Sequence, residues 1–477
     1  MTECCHDVAI VGAGVSGAAI ARLLSRYQLK VALLEKEVDV SFGTSKANSG
    51  IIHAGFHHAG SLLKTRLELE GLAQFDQLQR ELSFPFRRCG ILVVALHPDE
   101  MGMVEHLWKQ GLANGVSGLE LCSRERLLAL ESKLADDVVG GLYAPNGGII
   151  EPYRFVFSLV ENAVLNGVSL RTSFKVVNAI HDGLSWSITS SSGEVLRARY
   201  VVNAAGLFAD EVSRIFGAED FTIQGRKGEY FLLDRQAKAH PSRVVFPVPS
   251  SISKGMLVIP TVEGTTLIGP TADACPDKED LATDSTRLER ILSSARNLIP
   301  SVSERDVITS FAGLRPVYGD DFYIAQSRKA PNLIQVAGIQ SPGLTASPAV
   351  ACMVRDLLVR ASLQLTENPA YISHLDPQVR VRDLSLEERQ TLAKENPAWA
   401  QIVCRCEQIS EAEIIEAVRR GHTTLDGVKF YTRAQMGRCQ GGFCTSRILK
   451  IIMRETGLTA GEITKRGGDS FVLEGLV

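Results

Sequence analysis

Hydrophobic positions near the start of the chain follow two different patterns. "DVAIVGAGVSGAAIARLLSRYQLKVALLEKE" contains an apolar run, a glycine cluster, a segment with helical spacing of apolar residues, and a second apolar run. Short continuous runs bounded by turn residues mark strands buried on both faces, so this stretch predicts a strand, a tight turn, a helix and a parallel strand. Two later stretches repeat the buried-strand pattern. "ARYVVNAAG" ends in small residues, and "NLIQVAGIQSPG" leads into the apolar helix candidate "TASPAVACMVRDLLVRA". Between them, "EYFLLD" and "GMLVIPTVEGTTLIGP" have the more alternating character of an antiparallel sheet. The expected fold class is α/β: a doubly wound, Rossmann-like domain, discontinuous in sequence, with an antiparallel-sheet domain inserted. Its segments are expected at about 1–85, 146–225 and 305–365, with the inserted domain at about 86–145 and 226–304.

The pattern changes after residue 365. "TENPAYISHLDPQVRVRDLSLEERQTLAKENPAW" is rich in prolines and charges and reads as a linker over 366–401. Beyond it, Ser410 and Glu413 form a capping box for "EAEIIEAVRR", which Gly421 can end, and Gly457 can close a second helix, "TSRILKIIMRET". A small helical domain and tail are therefore expected over 402–477.

Length and charge narrow the classes. At 477 residues the chain exceeds one compact core. A formal charge of -3, with both signs scattered, offers no basic stripe for a phosphate backbone, so nucleic acid is excluded as the expected partner. No apolar stretch is long enough to cross a bilayer, and a first strand beginning by about residue 7 leaves no room for a secretory leader. The expected location is the cytoplasm, with peripheral contact at the inner face of a membrane compatible with the sequence.

Gly12, Gly14 and Gly17 stand as G-x-G-x-x-G between the first strand and helix. The first glycine permits the turn, the second lets backbone approach a pyrophosphate, and the third lets helix and strand pack closely. Glu35 closes the second strand where a carboxylate accepts hydrogen bonds from an adenosine ribose; Ser16 and Lys36 complete the candidate set. A dinucleotide is implied. Strands that return some 200 and 330 residues after the fingerprint favour FAD over a freely exchanging nicotinamide.

"TSKANSGIIHAGFHHAGSLLKTRLELEG", "FPFRRCGILVVA", "GGIIEPYRF", "AGLRPVYGDDFYIA" and "GIQSPGLTASPA" carry a resemblance. Across roughly residues 5–365 the chain resembles the FAD-dependent oxidoreductases of the D-amino-acid oxidase family, most closely the glycerol-3-phosphate dehydrogenase-like branch. The neighbouring L-2-hydroxyglutarate dehydrogenases share the N-S-G-x-I-H core. The resemblance implies that Thr44, Ser45, Asn48 and Ser49 line the flavin, and that Gly343, Leu344 and Thr345 approach its pyrimidine edge. Oxidising a secondary alcohol needs a base for the hydroxyl proton and an acceptor for the hydride. His53, between small residues, is the candidate base; the other reading makes it a residue that orients the cofactor. His57 and His58 are expected at the pocket rim. Arg315 in "GLRP" suits an anionic substrate, because a guanidinium holds carboxylate or phosphate with two parallel hydrogen bonds. Lys254 is a candidate helper. The expected reaction is oxidation of a small anionic 2-hydroxy compound, sn-glycerol 3-phosphate by resemblance. L-2-hydroxyglutarate or another hydroxy acid, an amine or amino acid, and a non-catalytic redox relay are the alternatives.

Ten cysteines fall into two groups. Cys4, Cys5, Cys89, Cys122, Cys275 and Cys352 are scattered and read as ordinary thiols. Cys404, Cys406, Cys439 and Cys444 stand as C-x-C, 32 residues, then C-x4-C. Four thiolates suit zinc or an iron-sulfur cluster, and the single Arg405 between the first two is tighter than zinc knuckles use. The segment from about 402 to 456 resembles the [2Fe-2S] domain of bacterioferritin-associated ferredoxin through "CRCEQIS" and "GRCQGGFC". Gly441 and Gly442 let backbone come close, and Arg405 and Arg438 are adjacent cations. A cluster beside a flavin implies an electron outlet toward an external acceptor, a partner subunit or quinone-linked carrier.

Overall fold

The computed structural model describes residues 5–249 and 255–473, in two compact units. One comprises residues up to 36 and 40–375; the other comprises 37–39 with the chain beyond 375. Lys254, the expected substrate helper, lies outside the described residues.

The first unit opens with β1 (His6–Val11), α1 (Val15–Leu24) and β2 (Val31–Leu34), followed by α2 (Leu63–Leu72). It continues through β3 (Ser169–Arg171), β4 (Val195–Asn203), β5 (Gln224–Leu233), β6 (Leu257–Pro260) and β7 (Thr266–Gly269). Strands β8 (Val307–Val317) and β9 (Leu333–Ala337) lead to α3 (Gly343–Arg360). Strands β3, β2, β1, β4 and β9 lie side by side and parallel, so segments far apart in sequence complete one sheet around the glycine turn. Val8, Ala9, Ile10, Leu33, Val201 and Ile334 have no measurable exposure, which explains the unbroken apolar runs: helices or loops cover both faces.

The second sheet is built on β5, which pairs antiparallel with β7 and along its whole length with β8; β6 pairs antiparallel with β7. It is antiparallel as expected except at one edge-to-edge junction, where Val244–Pro247 runs parallel to Ile91–Ala95. Two apolar clusters fill its faces, one around Leu92, Val258 and Ile291, the other around Val93, Leu142 and Ile259.

Asp210, on the helix Ala209–Ile215, ties that helix to Lys278 and to Ile223 just before β5. Its carboxylate lies 2.7 Å from Lys278 Nζ and accepts the Ile223 N–H at 3.1 Å. Burial opposes its ionisation, but these partners outweigh burial and hold the pKa below the ordinary carboxylate value. A depressed folded pKa gives stability that is present above the unfolded value and lost as pH falls through the folded one. Asp210→Asn is expected to cost about 1.5–3 kcal/mol at neutral pH. Thermal melts should show that deficit shrinking below about pH 4.

Of the segment expected as a linker, residues 366–375 belong to the first unit, Thr366 O accepting from Gln28 N at 2.8 Å and Ile372 O from Asn166 Nδ2 at 2.8 Å. Residues Leu386–Glu395 form a helix with a Ser385/Glu388 capping box. The second unit then folds as α4 (Glu411–Arg419), α5 (Leu425–Thr432) and α6 (Thr445–Thr456) around Val403, Ile414, Val428, Ile448 and Ile452. Both reciprocal bonds of the Ser410/Glu413 capping box are present, and α6 ends at Gly457 with φ 78°. Helix α5 was not apparent from the sequence.

Candidate active site

The glycine turn has the geometry its sequence requires. Gly12 adopts φ +104°, and a Cβ on Gly17 would stand 1.9 Å from the Gly12 carbonyl oxygen, so α1 meets the turn where no side chain fits. Gly14 is the N-cap of α1, and Ser16 lies in its first turn. Around this positive helix end two side chains accept backbone protons: Ser45 Oγ from Val15 N at 2.9 Å and Glu35 Oε2 from Ala13 N at 2.7 Å. Glu35 is a buried carboxylate at the end of β2. Backbone N–H groups at a helix start suit a diphosphate, and a buried carboxylate suits ribose hydroxyls, so the residues present fit the adenosine half of FAD. Lys36 is exposed, with Nζ 4.5 Å from the Phe208 ring centroid.

From this turn the chain runs through residues 44–53 along the second sheet. Thr44 Oγ1 donates to the Leu314 carbonyl at 2.7 Å, and a Cβ on Gly313 would stand 2.0 Å from the Ala47 carbonyl, so backbone lies directly on β8. Asn48 braces the loop internally, Nδ2 to Ser45 O at 2.6 Å and Oδ1 from Gly50 N at 2.8 Å. Ser49 Oγ lies 3.0 Å from the Tyr230 hydroxyl. Tyr230 is buried on β5 and stacked on Phe311 of β8, with centroids 4.9 Å apart. Burial pushes its phenol pKa up, partly opposed by Arg315.

Arg315 lies on β8 directly across from Arg226. Its Nη2 donates to the Thr271 carbonyl at 2.8 Å, and a Cβ on Gly228 would stand 2.6 Å from that nitrogen. Glycine at 228 is thus what gives the guanidinium its place. Desolvation lowers the guanidinium pKa; Tyr230 raises it and Arg226 lowers it further. A second cation nearby and incomplete solvation favour an added anion.

His53 is held from α3. Its N–H donates to Thr345 Oγ1 at 2.9 Å, and its Nε2 lies 3.2 Å from Ser341 Oγ, just before the helix starts at Gly343 and Leu344. Helix α2 packs hard against this point, since a Cβ on Gly71 would meet the Thr345 carbonyl at 2.1 Å. Glu68 of α2 accepts the Gly55 N–H at 2.7 Å, so the histidine loop is fixed on two sides. His57 stacks on Phe56 at 4.1 Å and presents an edge to His53 at 5.6 Å, forming an aromatic wall with Phe246.

The structure thus gathers Thr44, Ser49 and Arg315 at β5 and β8, and His53 and Thr345 at the start of α3. Sequence reasoning missed Ser341 and Tyr230. A tyrosine on a buried strand needs a partner for its hydroxyl, which was the available signal for Tyr230; Ser341 lay in a quoted motif but is 288 positions from its histidine. Ser341→Ala is expected to lower kcat about tenfold. Steady-state kinetics at matched flavin content test this.

In the second unit, Cys406 Sγ lies 3.6 Å from Cys439 Sγ, and Cys404 is hydrogen-bonded to Cys444. Among the described residues the sulfurs stand as these two pairs and not as a single metal-binding group. The Cys444 bond draws the Cys404 thiol down to about 6 against the effect of burial, with the Gln435 and Glu407 N–H groups assisting; Cys444 is pushed up. Backbone N–H groups of Phe443 and Gly441 point at Cys439, and that of Cys439 at Cys406. Thiols in pairs, surrounded by N–H donors, fit a two-iron cluster in which each iron takes two thiolates.

A dinucleotide turn beside an antiparallel sheet, with histidine and arginine on separate walls, defines a flavin oxidoreductase architecture, and the second unit adds a cysteine centre. Residues 7–357 match the FAD dependent oxidoreductase family, and the chain belongs to it. Residues 402–454 match the BFD-like [2Fe-2S] binding domain. The chain is 42% identical to the glycerol 3-phosphate dehydrogenase of Caloramator mitchellensis over 98% of both chains. It is 32% identical to the glycerol 3-phosphate oxidase of Mycoplasma pneumoniae, over 76% of this chain and 96% of that one. A solved structure of the L-alpha-glycerophosphate oxidase from Mycoplasma pneumoniae with FAD bound superposes with a TM-score of 0.75 at 30% identity, covering 78% of this chain and 99% of that one. The chain is an FAD enzyme with an iron-sulfur domain. Among the described residues no helix is long and apolar enough to cross a membrane.

Proposed function

We propose that the chain oxidises sn-glycerol 3-phosphate to the ketone and passes the two electrons singly to an external acceptor. The observation that carries this reading is likeness along the whole chain, through both units, to a glycerol 3-phosphate dehydrogenase. When bound, the flavin accepts the hydride and the cluster carries electrons one at a time. The chain's own residues do the rest. Glu35 and the N-terminal end of α1 hold the adenosine half; residues 44–49, with Gly343, Leu344 and Thr345, hold the isoalloxazine. Arg315 holds the substrate phosphate with its fork, while the proton of the substrate's C2 hydroxyl goes to His53 Nε2. Ser341 fixes that ring. Cys404, Cys406, Cys439 and Cys444 hold the cluster. The acceptor is a partner subunit or quinone-linked carrier, and the working location is the cytoplasm, at the inner membrane face where the carrier is quinone-linked.

Anaerobic mixing with candidate substrates tests this. Rapid flavin bleaching by sn-glycerol 3-phosphate, with L-2-hydroxyglutarate and amino acids inert, is the expected result. Bleaching by none of them would make the chain a relay.

A further inference from the structure

Phe443 stands inside the cysteine loop, between Cys439 and Cys444, and its side chain is 81% exposed. A single exposed apolar residue is normally unremarked. Here the same residue aims its backbone N–H at Cys439 while its ring projects into solvent. The segments that carry the four cysteines expose one sign of charge. In residues 402–410 and 436–450 the exposed ionisable chains are Arg405, Arg438, Arg447 and Lys450, besides the Cys406 thiol; the one acid, Glu407, is buried against Arg433 and Arg382. Arg447 is anchored beside the cysteines, its Nη1 donating to the Ile402 carbonyl at 2.8 Å, and Lys450 follows three positions on along α6.

We infer that the exposed face of the cysteine-bearing segments, with Phe443 and the cations Arg405, Arg438, Arg447 and Lys450 on it, is the docking surface for an acidic one-electron carrier protein. The inference rests on the reading of the four cysteines as a redox centre and adds the partner's chemistry. An exposed apolar side chain on a cationic segment is complementary to an apolar recess among carboxylates, and long-range attraction would speed encounter. Arginines that merely offset the cluster's negative charge would not require an exposed phenyl ring among them. Exposure at Cys406 and the Phe443 amide at Cys439 bring the electron's exit to the same face.

The test uses full-length protein with both cofactors, reduced by dithionite and freed of excess reductant, so that it does not depend on the substrate. Stopped flow mixes it with the soluble domain of cytochrome b5 as an acidic probe, or with horse cytochrome c as a basic one. Each ferric haem takes one electron and the cluster gives up one; no bond forms or breaks. Wild-type protein should reduce cytochrome b5 at a rate that falls as salt rises, and should sediment with it as a complex at low salt. Phe443→Ala should slow that reduction about tenfold. Phe443→Glu should slow it about a hundredfold, abolish the complex and speed cytochrome c, while substrate bleaching, and ferricyanide reoxidation at high salt where surface charge is screened, stay within about twofold.

Equal cytochrome b5 rates and salt slopes in all three proteins would overturn the inference. So would a Phe443→Glu protein slowed equally toward both cytochromes and ferricyanide, which indicates a damaged centre. A wild-type dimer that Phe443→Glu dissociates would make a second copy the occupant. Wild-type protein without bound iron and sulfide would remove the redox reading itself, and the docking inference with it; iron analysis separates that case from the others.

Discussion

Arg315→Ala is expected to give a folded, yellow protein in which sn-glycerol 3-phosphate reduces the flavin with kcat/KM lowered by about 10²–10³-fold. The size follows from the chemistry of the position. Among the described residues the guanidinium is anchored by one carbonyl bond, to Thr271, and Arg226 stands across the ladder. A phosphate placed there would satisfy the fork and offset both cations. Removing a desolvated charge pair of that kind costs several kcal/mol, whereas the adenosine-binding turn at Gly12 and Glu35 is untouched, so flavin content should not change. Arg315→Lys should fall between the two, since an ammonium restores charge without the planar fork. Gly228→Ala gives an independent check: a Cβ there stands 2.6 Å from Nη2 and must displace it, so kcat/KM should drop although every charge remains. Unchanged kinetics in Arg315→Ala would take this residue out of the substrate site.

What the sequence disclosed, and what it hid, follows from range. The glycine turn, Glu35 and the Ser410/Glu413 capping box are local devices, each closed within one supersecondary unit, and they read directly from spacing, whereas the Ser385/Glu388 box stands in a stretch whose prolines and charges read as linker. The parallel sheet could be inferred because strands buried on both faces keep unbroken apolar runs wherever they occur in the chain. Helix α5 is only eight residues long and carries Gly427 in its first turn, which weakens its helical signal; Thr424 is its N-cap, accepting from Gly427 N at 3.0 Å. The parallel junction of Val244–Pro247 with Ile91–Ala95 joins segments some 150 residues apart, and nothing in either one specifies the direction of its neighbour. The site shows the same division. Residue types were legible, so histidine and arginine could be named, but what aims them was not. Thr345 and Ser341 position His53 from nearly 300 residues away, and Gly228 gives Arg315 its space from across a ladder.

Cys439→Ser is expected to separate the two halves of the reaction. Flavin bleaching by substrate should stay within about twofold of wild type, while turnover with a one-electron acceptor falls by more than about tenfold and bound iron and sulfide are lost or sharply reduced. The position is chosen for its burial. Cys404 and Cys444 are each 1% exposed and belong to the apolar cluster with Val403, Ile414 and Ile448, so changing either would mix ligand loss with loss of packing. Cys439 is only partly buried, 3.6 Å from the exposed Cys406, and receives N–H groups from Gly441 and Phe443. Serine keeps its size and accepts those N–H groups, so the helices around it should melt as they do in wild type once cofactor binding is accounted for. A serine alkoxide is a poor match for iron that thiolates hold, and the N–H donors that stabilise sulfur charge would then face a neutral hydroxyl. Retained iron together with undiminished acceptor turnover would show that electrons leave by another route, and Cys439 would be a thiol that happens to lie beside Cys406.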